Sequence, residues 1–436
     1  MRREPVGCSV MSPARLDVLY VSQMPASPPR FGAQARVHGL MTQLAKRHDL
    51  TAVMLADEQF DLVECHRAMK DYCRDVILVP NPNARTAATK RLLQLRSLAS
   101  AQSFERLLVG VPELQQALDR TLRSRRFDLV NVEFPYLGQC NLRQAPPGRR
   151  PPPVVVDSHE IAYDLAHQFA RTGTLARRIY AGANWRKLRR DELAAYGSAD
   201  GVSVCSTADE RRLLAAIPGA RTVVVPNAAD VDFYQPRPSD PPPDGRTVVY
   251  FGLLSTVPNA DGVTHFVRDI WPRIAATHPD ARCKIIGAGA RPSLLALAGP
   301  RVELTGFVPD LRPHLASAAA LVVPLRLGGG TRLKIVEGMA MGKAIVSTSL
   351  GAEGIDAVRD HDLLIEDRPD DFADAVNRLL ADPAFAARIG ASARRLAVER
   401  YGWSSAAKAL EAFFEQLARS HGAHETRRDV GVAEGA

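Results

Sequence analysis

The sequence lacks a CxxC pair, a membrane-length apolar run and a solenoid-length repeat, and each lack removes a class of function. Six cysteines, Cys8, Cys65, Cys73, Cys140, Cys205 and Cys283, are scattered along 436 residues. Zinc sites and disulfide frameworks need closer, patterned spacing, so free thiols in a reducing cytoplasm are expected. No stretch approaches the roughly 20 apolar residues of a bilayer-spanning helix. Met1 to Arg15 carries charge without an apolar core, unlike a secretory signal. Aromatics are sparse at 6%, and none interleaves as a stacking platform with the basic clusters at Arg123–Arg126, Arg177–Arg178 or Arg186–Arg190. The surplus of +8 therefore does not name a nucleic-acid partner. It suits a solvated face, phosphates or anionic lipid equally.

What is present is ordinary globular material, with 46% hydrophobic and 24% charged residues, enough for two or three domains. Short apolar runs alternate with longer helical patterns. They include Leu16–Val21, Leu50–Leu55, Val76–Val79, Phe127–Val132, Val154–Asp157, Gly201–Cys205 and Thr222–Val225. Thr247–Phe251, Cys283–Gly287, Ala320–Val323 and Ala344–Ser347 continue the series. Strands apolar on both faces and separated by helices predict an α/β fold of doubly wound parallel sheets. Gln235–Gly245 carries five prolines in eleven residues, which can join neither a sheet nor a helix interior. This stiff linker divides the chain into a first domain (15–234), the linker (235–246) and a second domain (247–400). A helix over 401–419 is expected to cross back to the first domain, followed by a disordered tail, 420–436. Between Thr86 and Leu108, leucines alternate with Lys90, Arg91, Arg96 and Arg106. A surface helix packed on its own sheet is the favoured reading, and peripheral contact with anionic lipid the other.

The chemistry concentrates in Val322–Ser347. A strand ends at Val323, Gly328, Gly329 and Gly330 follow, and a helix is predicted to open at Thr331. Glycines admit a ligand close to the backbone, and unpaired amides with the helix dipole favour a phosphate. Arg332 and Lys334 fall in the first turn, where cations oppose the dipole unless an anion balances them. Glu337 sits on a helix apolar nearly all round, so its carboxylate needs donors such as a ribose diol. The spacing is not that of a P-loop, and Ile285–Gly289 lacks the third glycine of a dinucleotide fingerprint.

In this order the segments resemble the retaining glycosyltransferases of GT-B fold, the family that includes sucrose synthase and bacterial mannosyl- and exopolysaccharide transferases. Pro29-Arg30-Phe31-Gly32 is similar to that family's N-terminal glycine loop, and Asp157-Ser158-His159-Glu160 to its histidine motif. Val225-Pro226-Asn227 with Val231-Asp232 is similar to its PNGVD segment. Gly306-Phe307-Val308, Ala319 to Pro324 and Gly354 extend the series. The resemblance implies two Rossmann-like domains facing a cleft, a nucleoside diphosphate sugar donor, and transfer with retention to a saccharide or lipid-linked acceptor. It implies donor contacts from Gly32, Gly252, Val308, Gly328, Gly329, Gly330, Thr331 and Glu337 and a catalytic role for His159; Arg332 and Lys334 are expected as the catalytic cations from their place beside the glycines. Neither a metal nor another cofactor is implied, and the product class is polysaccharide or glycolipid.

Two departures stand out. Glu337 matches the second glutamate of the family's E-x7-E motif, but Gly329 stands where the first belongs. The family's Arg and Lys pair falls on Leu253 and Asn259, so Arg332 and Lys334 are the expected substitutes. Glu160 reads as a carboxylate at a helix start, and Asp230-Val231-Asp232 as a turn rather than a metal motif. An epimerase of similar fold and a non-catalytic nucleotide-sugar binder remain the rival functions; a nucleic-acid binder rests on charge alone.

Overall fold

The computed structural model describes residues 15–171 and 175–433. Two wholly parallel sheets form the framework. The first contains β1 (Asp17–Ser22), β2 (Asp49–Ala56), β3 (Asp75–Pro80), β4 (Leu129–Glu133), β5 (Val154–Ser158), β6 (Gly201–Val204) and β7 (Thr222–Val224). Its spatial order is β3-β2-β1-β4-β5-β6-β7. The second contains β8 (Thr247–Phe251), β9 (Arg282–Ile286), β10 (Val302–Gly306), β11 (Ala320–Val323), β12 (Ile345–Ser347) and β13 (Leu364–Ile365). Its order is β10-β9-β8-β11-β12-β13.

The strands are parallel because their side chains are buried on both faces. In β1, Leu19 and Val21 enter one hydrophobic cluster while Val18 and Tyr20 enter another across the sheet. In β8, Val248 and Tyr250 likewise separate from Val249 and Phe251. Such strands need helical crossovers, which cover each face. The strand order reverses between β1 and β4 and again between β8 and β11. Ligands of open α/β sheets bind beyond the carboxyl ends of the strands at such reversals.

The last helix, Trp403–Ala433, lies against the first domain. Ala406, Leu410, Phe413, Phe414 and Leu417 share a cluster with Leu16, Val18 and Leu40. Arg47 Nη1 and His48 Nε2 meet Glu411 at 3.1 and 3.0 Å. The helix does not stop near 420, where composition predicts disorder, but runs on to Ala433. Ala423, Glu425, Arg427 and Arg428 favour continuation of a helix already anchored by packing, against the glycines at 422 and 431. Residues 434–436 of the expected tail lie outside the described residues. Among the described residues, no helix is long and apolar enough to cross a membrane.

Candidate functional site

Both reversals open on one seam. From the second domain come Gly252, just after β8, and the glycine loop after β11. The following helix, Leu333–Ala340, begins two residues later than the sequence predicts. Arg332 is its extended N-cap residue, with φ −86° and ψ 104°, so Lys334 alone of the two cations lies within the helix. Arg332 is nearly buried and donates to the carbonyls of Gly329 and Gly330, and to that of Leu350 at 3.4 Å. Its guanidinium fixes the shape of the loop.

Lys334 turns toward β8. Its Nζ donates to Tyr250 Oη at 2.7 Å and Asn259 Oδ1 at 2.8 Å, and lies 4.2 Å from the centroid of the Tyr250 ring. A Cβ on Gly252, whose φ is +155°, would stand 2.8 Å from that nitrogen. Only glycine leaves this space. The ammonium thus reaches the exit of β8, where Leu253 and Asn259 carry no charge. Burial pushes Lys334 down to about 7, aided by the Arg332 charge and opposed by Glu337. Burial pushes Glu337 up to about 7, against the Tyr234 hydroxyl that donates to it and the Lys334 charge. No ion pair joins Lys334 to Glu337 among the described residues. Both are half-satisfied groups poised near neutrality, a pattern concentrated at functional sites.

The first domain contributes a buried polar cluster at the carboxyl ends of β4 and β5. Arg36 donates to both oxygens of Asp157 at 2.9 and 2.8 Å, and to the Val225 carbonyl at 2.9 Å. Ser203 Oγ donates to Asp157 at 2.5 Å. Burial raises the Asp157 pKa, but the Arg36 charge and hydrogen bonds outweigh it and hold the group at about 2. His159 Nε2 meets Glu133 Oε2 at 2.7 Å, and its ring lies 4.0 Å from the Phe134 ring. Desolvation pushes His159 down to about 3, so the imidazole is neutral near pH 7. Phe134 itself has φ +73°, a strained value for an aromatic residue beside the cleft.

Glu133, Asp157 and His159 bring three ligand-type atoms within 4.8 Å of one another. A cation does not fit them, because the Arg36 guanidinium already occupies Asp157 from both oxygens. The Asp230 carboxylate accepts from the amides of Asp232 and Phe233 at 3.1 and 2.9 Å, as a turn does.

Cross-domain bonds hold the glycine loop against this cluster. Thr331 Oγ1 donates to the Cys205 carbonyl at 3.1 Å, and Asn227 Nδ2 donates to the Thr331 carbonyl at 2.8 Å. Gln168 exchanges two 3.1 Å bonds with the backbone of Gly328. Gly330 adopts φ +64° and packs so closely on the His159 carbonyl that any Cβ would collide with it. A Cβ on Gly32 would lie 3.0 Å from Leu333 Cδ1. The structure therefore gathers His159, Gly32, Gly252, Gly328–Thr331, Arg332, Lys334 and Glu337 along one seam. Val308, beyond β10, packs on the second domain's own cluster. Sequence reasoning missed Arg36, Glu133, Tyr234 and Tyr250. For Glu133 a signal existed, a carboxylate closing an apolar strand at its carboxyl end.

Comparison with known proteins matches this organisation. A family model described as "Glycosyl transferase 4-like domain" matches residues 31–228, and one described as "Glycosyl transferases group 1" matches residues 245–382. No curated protein matches the chain. Sucrose-phosphate synthase from Thermosynechococcus elongatus superposes with TM-score 0.71 at 17% identity, over 93% of this chain and 100% of its own. Anabaena HepE in complex with UDP-glucose gives 0.63 at 15%, over 94% and 100%. A mutant of S. aureus TarM, solved with Fondaparinux, alpha-GlcNAc-glycerol and UDP, gives 0.64 at 10%, over 91% and 99%. With one family model on each half, and both halves folded as these structures are, the chain belongs to the group 1 glycosyltransferases of GT-B fold.

Proposed function

We propose that the protein transfers a glycosyl unit from a nucleoside diphosphate sugar to an acceptor hydroxyl, with retention at the anomeric carbon. The observation that carries this reading is Lys334, a desolvated cation at the exit of β8 beside a glycine loop and a half-buried Glu337. The HepE and TarM structures, which hold UDP-glucose or UDP, support it. Lys334 and the loop amides face the diphosphate, Arg332 keeps the loop in shape, and Glu337 takes the ribose diol. In the reaction the bond from anomeric carbon to phosphate oxygen breaks and a bond to the acceptor oxygen forms on the same face. The acceptor proton passes to the departing phosphate. His159, neutral and held by Glu133, contacts the transferred sugar or acceptor from the other wall. Charge on the leaving group is met by Lys334 and backbone dipoles, without a metal.

The acceptor is a lipid-linked or growing saccharide at the cytoplasmic face of a membrane. Supporting this is the helix Ala87–Ala99, which buries only Leu93 and Ser97. Leu92 and Leu95 are two-thirds exposed beside Lys90, Arg91 and Arg96, with Leu175 and Ile179 exposed on the neighbouring helix Leu175–Ser198. Apolar side chains ringed by cations suit an anionic bilayer surface.

A panel of UDP-, GDP- and ADP-sugars, scored by thermal stabilisation and then by mass spectrometry of products, tests the reading. At least one donor should raise Tm and yield a glycosylated acceptor. Absence of stabilisation by every nucleotide and sugar would overturn it, and isomerisation of donor alone would make the protein an epimerase. L92S/L95S should lose flotation with anionic vesicles while keeping Tm.

A further inference from the structure

The first-domain residue Glu160 sits in the turn after β5, and three observations set its carboxylate apart. It does not serve the helix that follows, as the sequence reading expects. The first amides of that helix, Ala162 and Tyr163, bond instead to Glu192 at 3.3 and 2.8 Å. Its carboxylate accepts no hydrogen bond and makes no ion pair among the described residues; burial pushes its pKa up, against the more distant Arg332 charge across the seam. A partly buried carboxylate without partners is costly, and native proteins keep one where a ligand completes it. Third, it points across the seam at the glycine loop. A Cβ on Gly329 would lie 3.1 Å from Glu160 Oε2 and 3.8 Å from its carboxyl carbon.

Gly329 is the position where the resemblance expects a sugar-contacting glutamate. A side chain starting from Gly329 would run directly into the Glu160 carboxylate, so one carboxylate excludes the other. From this geometry we infer that Glu160 supplies, from the opposite domain, the acceptor for hydroxyls of the transferred sugar. The inference rests on the glycosyltransferase reading above and names one residue of its sugar subsite. Its ligand is a set of neutral hydroxyls, not the diphosphate, because a carboxylate repels an anion and has no protons to offer one. Its neighbours agree. The His159 ring leads into it by sequence, Gly330 packs against its Cβ, and Arg332 holds the loop it faces.

A sugar-contacting carboxylate on the second domain would be present in an open cleft, whereas Glu160 meets the donor sugar only when the two domains come together. Free nucleotide then needs one domain, and the sugar needs both. That arrangement ties sugar recognition to closure.

Binding of UDP, GDP, UDP-glucose and GDP-mannose to the full chain, measured by calorimetry alongside turnover, tests this. E160A should leave affinity for the free nucleoside diphosphate unchanged, and weaken the sugar nucleotide and kcat by about 10- to 100-fold. E160Q, which keeps shape and one acceptor oxygen, should fall between. G329E alone should be inactive from crowding and like-charge repulsion, whereas E160A/G329E should recover sugar-nucleotide affinity relative to either single variant. The inference is overturned if E160A, folded by its Tm, keeps the wild-type ratio of sugar-nucleotide to nucleotide affinity. It is equally overturned if E160A/G329E is no better than G329E. If the wild type binds none of the four ligands, the glycosyltransferase reading itself fails, a distinguishable result.

Discussion

The two walls of the cleft manage buried charge in opposite ways. In the first domain, Arg36 and Asp157 answer each other with two direct bonds, Ser203 donates a third to Asp157, and the Val225 carbonyl and Asn227 Oδ1 accept from Arg36. Asp157 is held at about 2, far from any working pH. In the second domain, Lys334 has only a phenol and an amide as partners, and Glu337 a phenol. Both stand at about 7. Around Asp157 the first wall is internally closed and serves as a rigid support, with Glu160 at the seam as its exception; around Lys334 the second wall has charge left over. A desolvated lysine beside a glycine loop is costly in the free protein, a cost that the proposed diphosphate ligand would offset.

The sharpest way to break this contrast is to remove the central cation from each wall. R36M leaves Asp157 and Glu133 buried without compensation, and should cost about 3–5 kcal/mol of folding free energy, enough to threaten the fold. Urea unfolding of the full chain measures it. K334M should cost little stability, because it removes a group whose burial is already unfavourable. It should instead lower kcat by ~10²-fold and weaken UDP or GDP binding, as loss of a transition-state cation does. Equal stability losses in the two variants would erase the distinction between walls.

The pH dependence of stability sharpens the comparison further. Glu337 is raised from an ordinary 4.5 to about 7. Between these values the folded state holds a proton that the unfolded state has released, so stability falls as pH rises. Lys334 is lowered from 10.5 to about 7. Above 7 the unfolded state holds the extra proton, so stability rises with pH. Together they place a dip near neutrality. K334M/E337Q should flatten that dip in a series of unfolding curves taken across pH, and a bound nucleoside diphosphate should fill it. By the same signs, diphosphate affinity should decline as pH rises through about 7 in the wild type and stay level in K334M.

The framework was legible because apolar, β-branched runs between helical patterns admit few other folds. Eleven of the strands coincide with those runs. The two that escaped have physical excuses: β10 is an edge strand with only Val302 buried, and β13 is two residues long. Within the site, the glycine loop, Lys334 and Glu337 were legible because they share one short segment. Partners distant in sequence were not. Tyr250 and Asn259 meet Lys334 across 84 and 75 residues; nothing local marks Tyr250, and Asn259 stands out only as the place of an absent family cation, not as a partner of Lys334. The helix start was misplaced for a related reason. Arg332 bonds backward to the loop carbonyls, which holds it extended and delays the first turn.

The smallest expected effect concerns the seam that joins the walls. T331V keeps the shape of a buried side chain but removes its bond to the Cys205 carbonyl, and Q168A removes the pair at Gly328. Each bond is worth about 1 kcal/mol net. These bonds belong to neither wall's charge system, so neither variant should alter the pH dip. Their work is to bring the glycine loop under the first domain, a step that precedes chemistry. KM for the sugar nucleotide should therefore rise about fivefold in T331V and about 30-fold in Q168A while kcat changes little. A selective fall in kcat, with KM unchanged, would instead place the seam inside the reacting geometry and dissolve the division between a supporting wall and a reacting one.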